Sequence, residues 1–285
     1  KIYMSALTWG DINNDGYLDL IATGVGGIDY YISKVYINNG TTLTENSTWQ
    51  QNLTAVSYGS LSLGDIDNDG DLDLALSGCK GQAQYVDGCP TTSTTLIYIN
   101  NGTSLVESSQ WENNLTGMRQ GSLSFADYDN DGDLDLILSG IDSLSNKLTK
   151  AYLNNGTSLV ESSQWENNLV SVGDSSITFA DYDNDGDLDL SLAGCCDIHR
   201  LYRNNGSTFV EINREDTGGL DGFFAGSSAF ADYDNDGDLD LITSGREDGT
   251  FLHLYNISNS NFTSYSQDPE SNITDIHYSS LAWLD

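Results

Sequence analysis

Five nine-residue windows concentrate the chemistry of this chain. They span residues 11–19, 65–73, 127–135, 181–189 and 232–240 and hold 23 of its 43 acidic residues. Each fits D-x-[DN]-x-D-G-x-x-D, a spacing that lets side chains at positions 1, 3, 5 and 9 converge on one cation while position 7 offers its backbone carbonyl. Glycine at position 6 permits the sharp bend. The candidate ligands are Asp11, Asn13, Asp15, Tyr17 and Asp19 in the first window, and Asp65, Asp67, Asp69, Asp71 and Asp73 in the second. The third supplies Asp127, Asp129, Asp131, Asp133 and Asp135, the fourth Asp181, Asp183, Asp185, Asp187 and Asp189, and the fifth Asp232, Asp234, Asp236, Asp238 and Asp240.

Four carboxylates about 4 Å apart repel by roughly 1 kcal/mol per pair in water and about 4 kcal/mol at an effective dielectric of 20. Six pairs sum to on the order of 6 to 24 kcal/mol, which rivals the whole stability of a domain. A folded loop of this kind therefore needs a bound cation. Hard oxygen ligands in flexible number favour Ca²⁺, since Mg²⁺ demands stricter octahedral geometry and keeps its waters. About five Ca²⁺ are expected, one per window, with the weakest binding where Asn13 replaces a carboxylate. An EF-hand is disfavoured because the windows lack flanking helices and an acid at position 12.

The elements that position the windows are repeated. The windows start at steps of 54, 62, 54 and 51 residues, and a period near 50 signals a propeller or solenoid. FADYDNDGDLDL occurs at 125–136, 179–190 and 230–241, and residues 100–115 recur unchanged at 154–169. Apolar residues alternate with small ones before each window (Leu61 and Leu63, Leu123 and Phe125) and again after it (Leu72, Leu74 and Leu76), as half-buried strands require. Each window is thus a hairpin loop. A third strand ends in Asn-Asn-Gly, a tight-turn signal, and a fourth is expected at 41–44, 104–107, 158–161 and 208–211. No helix-period segment separates them. The expected fold is an all-β propeller of four-stranded antiparallel blades, with repeats at about 1–54, 55–116, 117–170, 171–221 and 222–274. Residues 279–285 (SSLAWLD) match 5–11 (SALTWGD) and begin a sixth unit at 275–285.

These repeats resemble FG-GAP or VCBS repeats, the Ca²⁺-loop blades of the N-terminal propeller of integrin α subunits and of many secreted microbial proteins. The resemblance rests on the five windows and covers nearly the whole chain. It implies a β-propeller whose metal loops join the first and second strands of each blade, with Ca²⁺ held at the positions named above. Integrin-type propellers have seven blades, so a parent of six or seven blades is expected.

Ten Asn-x-Ser/Thr sequons occur, at Asn39, Asn46, Asn52, Asn101, Asn114, Asn155, Asn205, Asn256, Asn261 and Asn272. Asn39, Asn101, Asn155 and Asn205 sit on the Asn-Asn-Gly hairpin, where an exposed turn accepts a glycan. The ensemble points to an extracellular or cell-surface glycoprotein. Of the three pairings open to Cys79, Cys89, Cys195 and Cys196, the favoured one joins Cys79 to Cys89 and Cys195 to Cys196, because Cys79 and Cys195 hold equivalent places in non-neighbouring blades. Paired free thiols are the alternative.

Ten basic residues against 43 acidic ones give a formal charge of -33, which repels nucleic acid. No run of about 18 apolar residues is present to insert this segment in a membrane. No nucleophile elbow or phosphate loop appears, the three histidines share no motif, and no enzymatic activity is expected. Loops between the second and third strands vary most in length, so a protein or glycan partner is placed there, with Tyr30, Tyr31 and Tyr85 as candidate contacts. The expected function is a non-enzymatic, calcium-stabilised scaffold for adhesion or surface organisation, with self-assembly into filaments or arrays through other copies as a variant. The alternative is a carbohydrate-binding or polysaccharide-acting propeller.

Overall fold

The computed structural model describes residues 2–27, 30–80, 92–196, 198–212, 220, 224–246, 250–258 and 261–265. The fold is all-β, built of five four-stranded antiparallel propeller blades. The first blade runs β1 (Tyr3–Gly10), β2 (Asp19–Gly27), β3 (Tyr30–Asn38) and β4 (Leu43–Glu45); the second runs β5 (Val56–Gly64), β6 (Asp73–Lys80), β7 (Ser93–Asn100) and β8 (Leu105–Glu107). The third comprises β9 (Arg119–Ala126), β10 (Asp135–Ile141), β11 (Lys147–Asn154) and β12 (Leu159–Glu161). The fourth comprises β13 (Ser176–Ala180), β14 (Asp189–Gly194), β15 (Ile198–Asn204) and β16 (Phe209–Glu211), and the fifth β17 (Phe224–Ala231), β18 (Asp240–Arg246), β19 (Thr250–Ser258) and β20 (Asn261–Tyr265). Every acidic window closes the hairpin between the first two strands of its blade. The fourth strands are three residues long in the first four blades where four were expected, and β4 runs at 43–45 rather than 41–44, because the Asn-Asn-Gly turn takes up the residues before them.

The chain divides into two compact units. One contains Lys1–Asp127 and Asp131–Ser162, hence the first three blades; the other contains Tyr128–Asn130 and Ser163–Asp285, hence the last two. In the first unit, Ile12, Ile21, Val35 and Trp49 of the first blade pack against Leu74, Leu76, Tyr98 and Leu105 of the second. The second blade presents Ile66, Ile97, Trp111 and Met118 to Leu123, Leu136, Leu138 and Tyr152 of the third. In the second unit, Tyr182, Leu201 and Leu220 meet Leu241 and Tyr255. A central strand such as β6 is covered on both faces, so nearly all its residues are buried. Blades approach closely: a Cβ on Gly10 would lie 2.6 Å from Leu63 Cδ1, and one on Gly64 would lie 2.7 Å from Leu134 Cδ1.

Among the described residues, three single helical turns depart from the all-strand expectation: α1 (Ser47–Gln50), α2 (Ser109–Glu112) and α3 (Ser163–Glu166). Four residues are too few to show a helical period, which is why the pattern gave no sign of them. Each turn buries one tryptophan, Trp49, Trp111 or Trp165. The Asn46 side chain caps α1 by accepting from the Thr48 and Trp49 N–H groups at 3.0 and 3.4 Å.

Among the described residues, the first blade keeps one apolar face uncovered. Leu7, Trp9, Leu18 and Leu43 are 61%, 52%, 58% and 42% exposed, whereas Leu105, Leu159 and Phe209, which correspond to Leu43, are 0–2% exposed.

Candidate metal centres

The loops are organised by their own backbone. The position-1 carboxylates of Asp11, Asp65, Asp127, Asp181 and Asp232 accept on Oδ1 from the N–H of position 5 at 3.0–3.1 Å. On Oδ2 they accept from the N–H of the glycine at position 6, at 2.8–3.1 Å. Those glycines have φ between 89° and 95°, a left-handed conformation that a side chain would strain. At position 5, Asp15, Asp69, Asp131, Asp185 and Asp236 accept from the N–H of position 7 at 2.9–3.0 Å.

Position 9 ties each loop to the rest of its blade. Asp19, Asp73, Asp135, Asp189 and Asp240 are at most 1% exposed. On Oδ1 the first four accept from the N–H of Asn38, Asn100, Asn154 and Asn204 at 2.7–2.8 Å, joining the loop to the Asn-Asn-Gly turn. Asp19, Asp73, Asp189 and Asp240 also accept on Oδ2 from the N–H of Ile12, Ile66, Tyr182 and Tyr233 at 3.0–3.2 Å. Burial pushes the Asp73 and Asp189 carboxyls up to about 7 against these N–H donors, and it raises Asp19 as well.

Three groups of three carboxylates lie wholly inside one unit. Asp65, Asp67 and Asp73, then Asp181, Asp183 and Asp189, then Asp232, Asp234 and Asp240 each offer oxygens within 4.8 Å of one another. Burial raises the Asp67 carboxyl, and the Asp69 charge adds to the shift. Burial and the Asp185 charge raise Asp183 in the same way, while the Arg203 guanidinium opposes them. These residues fit a hard divalent ion. Asp183 Oδ1 is buried, and burial together with the neighbouring Asp185 charge makes an anionic oxygen costly unless a cation meets it. Positions 1, 3, 5 and 9 would supply the carboxylates, and Ca²⁺ would supply the neutralising charge. In the first loop Asn13 Nδ2 donates to Asp15 Oδ2 at 3.1 Å, and among the described residues that loop forms no three-carboxylate group.

Two features were missed from sequence. Position 4 is asparagine in every loop, with φ between 55° and 59°, and its amide reaches the position-7 carboxylate of the next loop. In the first unit Asn14 Nδ2 donates to Asp71 Oδ1 at 2.6 Å and Asn68 Nδ2 to Asp133 Oδ1 at 2.7 Å. In the second unit Asn130 donates to Asp187 at 2.7 Å and Asn184 to Asp238 at 3.1 Å. The invariance of asparagine at a slot the metal pattern leaves open was the available signal. The second feature is Arg203, whose Nε lies 2.7 Å from Asp183 Oδ2.

The sequons differ in what their side chains do. Asn39, Asn101, Asn155 and Asn205 accept on Oδ1 from the hydroxyl of the Ser or Thr two residues on, at 2.8–2.9 Å. Asn46 caps α1, and Asn52 Nδ2 donates to the Leu105 carbonyl at 3.3 Å. Asn114 is exposed at φ 74°. Asn256 and Asn261 lie in β19 and β20 with undescribed side chains, and Asn272 lies outside the described residues. Cys79 is disulfide-bonded; Cys89 lies outside the described residues. Cys195 is buried, Cys196 is exposed and both are thiols, which corrects the expected vicinal bond. Adjacent Cα atoms across a trans peptide are about 3.8 Å apart, short of the disulfide range, and no peptide bond described here is cis. Tyr30 is exposed and Tyr31 half-buried, while Tyr85 lies outside the described residues.

A groove of ≈ 480 Å³ runs between the second and third blades, lined by Asp67, Asn101, Glu107, Ser108, Gln110 and Thr157 over Trp111. Gln110 Nε2 donates to the Thr157 carbonyl across it at 2.8 Å. Among the described residues no helix is long and apolar enough to cross a membrane.

Residues 11–76 match the family described as FG-GAP-like repeat. No curated protein matches the chain. Among solved structures, the chain is similar to an Agrocybe aegerita lectin described as recognising non-reducing terminal N-acetylglucosamine, at 19% identity and a TM-score of 0.56. The match covers 93% of this chain and 66% of the lectin chain. A candidate exo-beta-1,3-galactanase from Bifidobacterium bifidum s17 is similar at 9% identity and a TM-score of 0.49, covering 95% of this chain and 93% of that one. Residues 11–76 are thus similar to an FG-GAP-like repeat, within an all-β fold of five propeller blades.

Proposed function

We propose that this chain is a non-catalytic, Ca²⁺-stabilised extracellular glycoprotein scaffold that presents a recognition surface in adhesion or surface organisation. The observation that carries the reading is the packing of a buried position-9 aspartate with two further carboxylates in a backbone-organised loop, repeated in both units. Such a loop is electrostatically incomplete without a divalent ion. The sequons on exposed turns and the bonded state of Cys79 support an oxidising, exported setting. Self-assembly is a variant of the same reading, and electron microscopy of purified protein distinguishes filaments from single particles.

The test is calcium titration by calorimetry combined with thermal melting in Ca²⁺ and in EDTA. Several bound ions per chain and a melting temperature lower by 10 °C or more in EDTA are expected. Identical melting curves in the two buffers would sink the proposal.

Glycan recognition is the second reading. It is favoured by the polar groove between the second and third blades and by the fold shared with the lectin. An array of terminal sugars probed with and without Ca²⁺ tests it: binding lost in Gln110→Ala supports this reading, and uniform absence of binding removes it.

A further inference from the structure

The four Asn-Asn-Gly turns are not chemically equal. Ile37, Ile99 and Leu153 precede the turn in the first three blades, each paired one strand over with the residue before the glutamate of the fourth strand. Arg203 holds that register position in the fourth blade, opposite Val210. In the second blade, Ile99 and Asp67 line one groove without an ion pair between them being possible. In the fourth, the guanidinium lies 2.7 Å from Asp183 Oδ2, with the Asp183 side chain 8% exposed and that of Arg203 47% exposed. One carboxylate oxygen at position 3 is therefore paired with a cation that the chain itself supplies, and the other is buried.

We propose that Arg203 is a built-in counter-ion of the fourth loop: it lowers the Ca²⁺ affinity of that loop below that of the second and holds the loop folded when the ion leaves. Both consequences follow from Coulomb's law. A fixed positive charge a few ångströms from a divalent ion weakens its binding on the order of tenfold even at the dielectric of water. The same charge relieves repulsion among Asp181, Asp183 and Asp189 in the metal-free state. The half-exposed guanidinium reaches solvent, so its own desolvation is small compared with that of the buried carboxylate it serves. The four acidic loops with full carboxylate sets are thereby graded, with one of them partly independent of calcium.

This inference rests on the loops being divalent-cation sites, and the experiment separates the two. Calcium binding would be followed by calorimetry, and melting in EDTA by circular dichroism, for the whole chain and for Arg203→Ile, Arg203→Lys and Ile99→Arg. In Arg203→Ile one class of site is expected to tighten about tenfold while the EDTA melting temperature falls. Arg203→Lys, which keeps the charge, is expected to restore both. Ile99→Arg is expected to weaken one site about tenfold, and it decides the matter should Arg203→Ile not fold. Bound calcium with unchanged affinities in Arg203→Ile, or in Ile99→Arg, overturns the inference alone. Absence of calcium binding by the unmodified chain overturns the cation reading on which it stands.

Discussion

Asp73 illustrates how a single side chain couples folding to ions. It is fully buried, accepts two backbone N–H groups and still has its carboxyl pushed up to about 7. Asp189 repeats the arrangement with the same shift. Their unfolded values are those of an ordinary aspartate, about 3.9. Between these limits the folded chain binds protons that the unfolded chain releases, so the stabilising contribution is complete below about pH 4 and is lost as pH rises through about 7. In EDTA the melting temperature is expected to rise as pH is lowered from 7.5 to 5. In saturating Ca²⁺ the trend is expected to reverse, because protons then compete with the ion for the same oxygens. Parallel pH series in the two buffers check this, and identical slopes would contradict it.

At the scale of the element, the short connection after the fourth strand of the first three blades contributes more than its length suggests. Trp111 is 5% exposed and packs among Ile66, Leu136 and Tyr152, whereas Trp9 on the uncovered face of the first blade is 52% exposed. Trp111→Ala is expected to cost about 3–5 kcal/mol, and Trp9→Ala less than about 1 kcal/mol; urea unfolding of both variants in Ca²⁺ measures the difference. The strand quartets were legible because alternation of Leu61 with Leu63, or Leu74 with Leu76, is a local pattern imposed by the pleat. The helical turns were not legible, since a single turn has no period to read. Cys195 and Cys196 misled for a related reason: equivalence to Cys79 says where a thiol sits in a blade, and says nothing about whether two neighbouring sulfurs can reach bonding geometry. Asn14, Asn68, Asn130 and Asn184 fill a slot the metal pattern leaves open, and their role was hidden because their partners lie 54–65 residues away, a distance no local pattern reports. Arg203 was hidden in the same way, 20 residues from Asp183 and visible only once β15 brings it back to the loop.

For the molecule as a whole, the repeat period carried most of the information. Identical strings at fixed spacing specify the number of blades and the loop each one presents, because every copy must bury its faces against a neighbour. The division into two compact units has no counterpart in that spacing: it falls at the third acidic loop, whose sequence is the same as the fourth and fifth. The formal charge of -33 has a similar double meaning. Spread evenly it would describe solubility, but more than half of the acids sit in five loops, so the repulsion is local and a small number of ions can relieve it. The links from Asn14 to Asp71 and from Asn68 to Asp133 have one more effect. Each joins the tip of one loop to the next, so if the loops hold ions as proposed, occupancy of one site within a unit would alter the freedom of the adjoining one, and by reciprocity the reverse would hold. Filling would then spread from neighbour to neighbour like a zipper closing, as in other linear repeat arrays. The first loop carries Tyr17 where its successors carry an accepting aspartate, and it is where the zipper would open first.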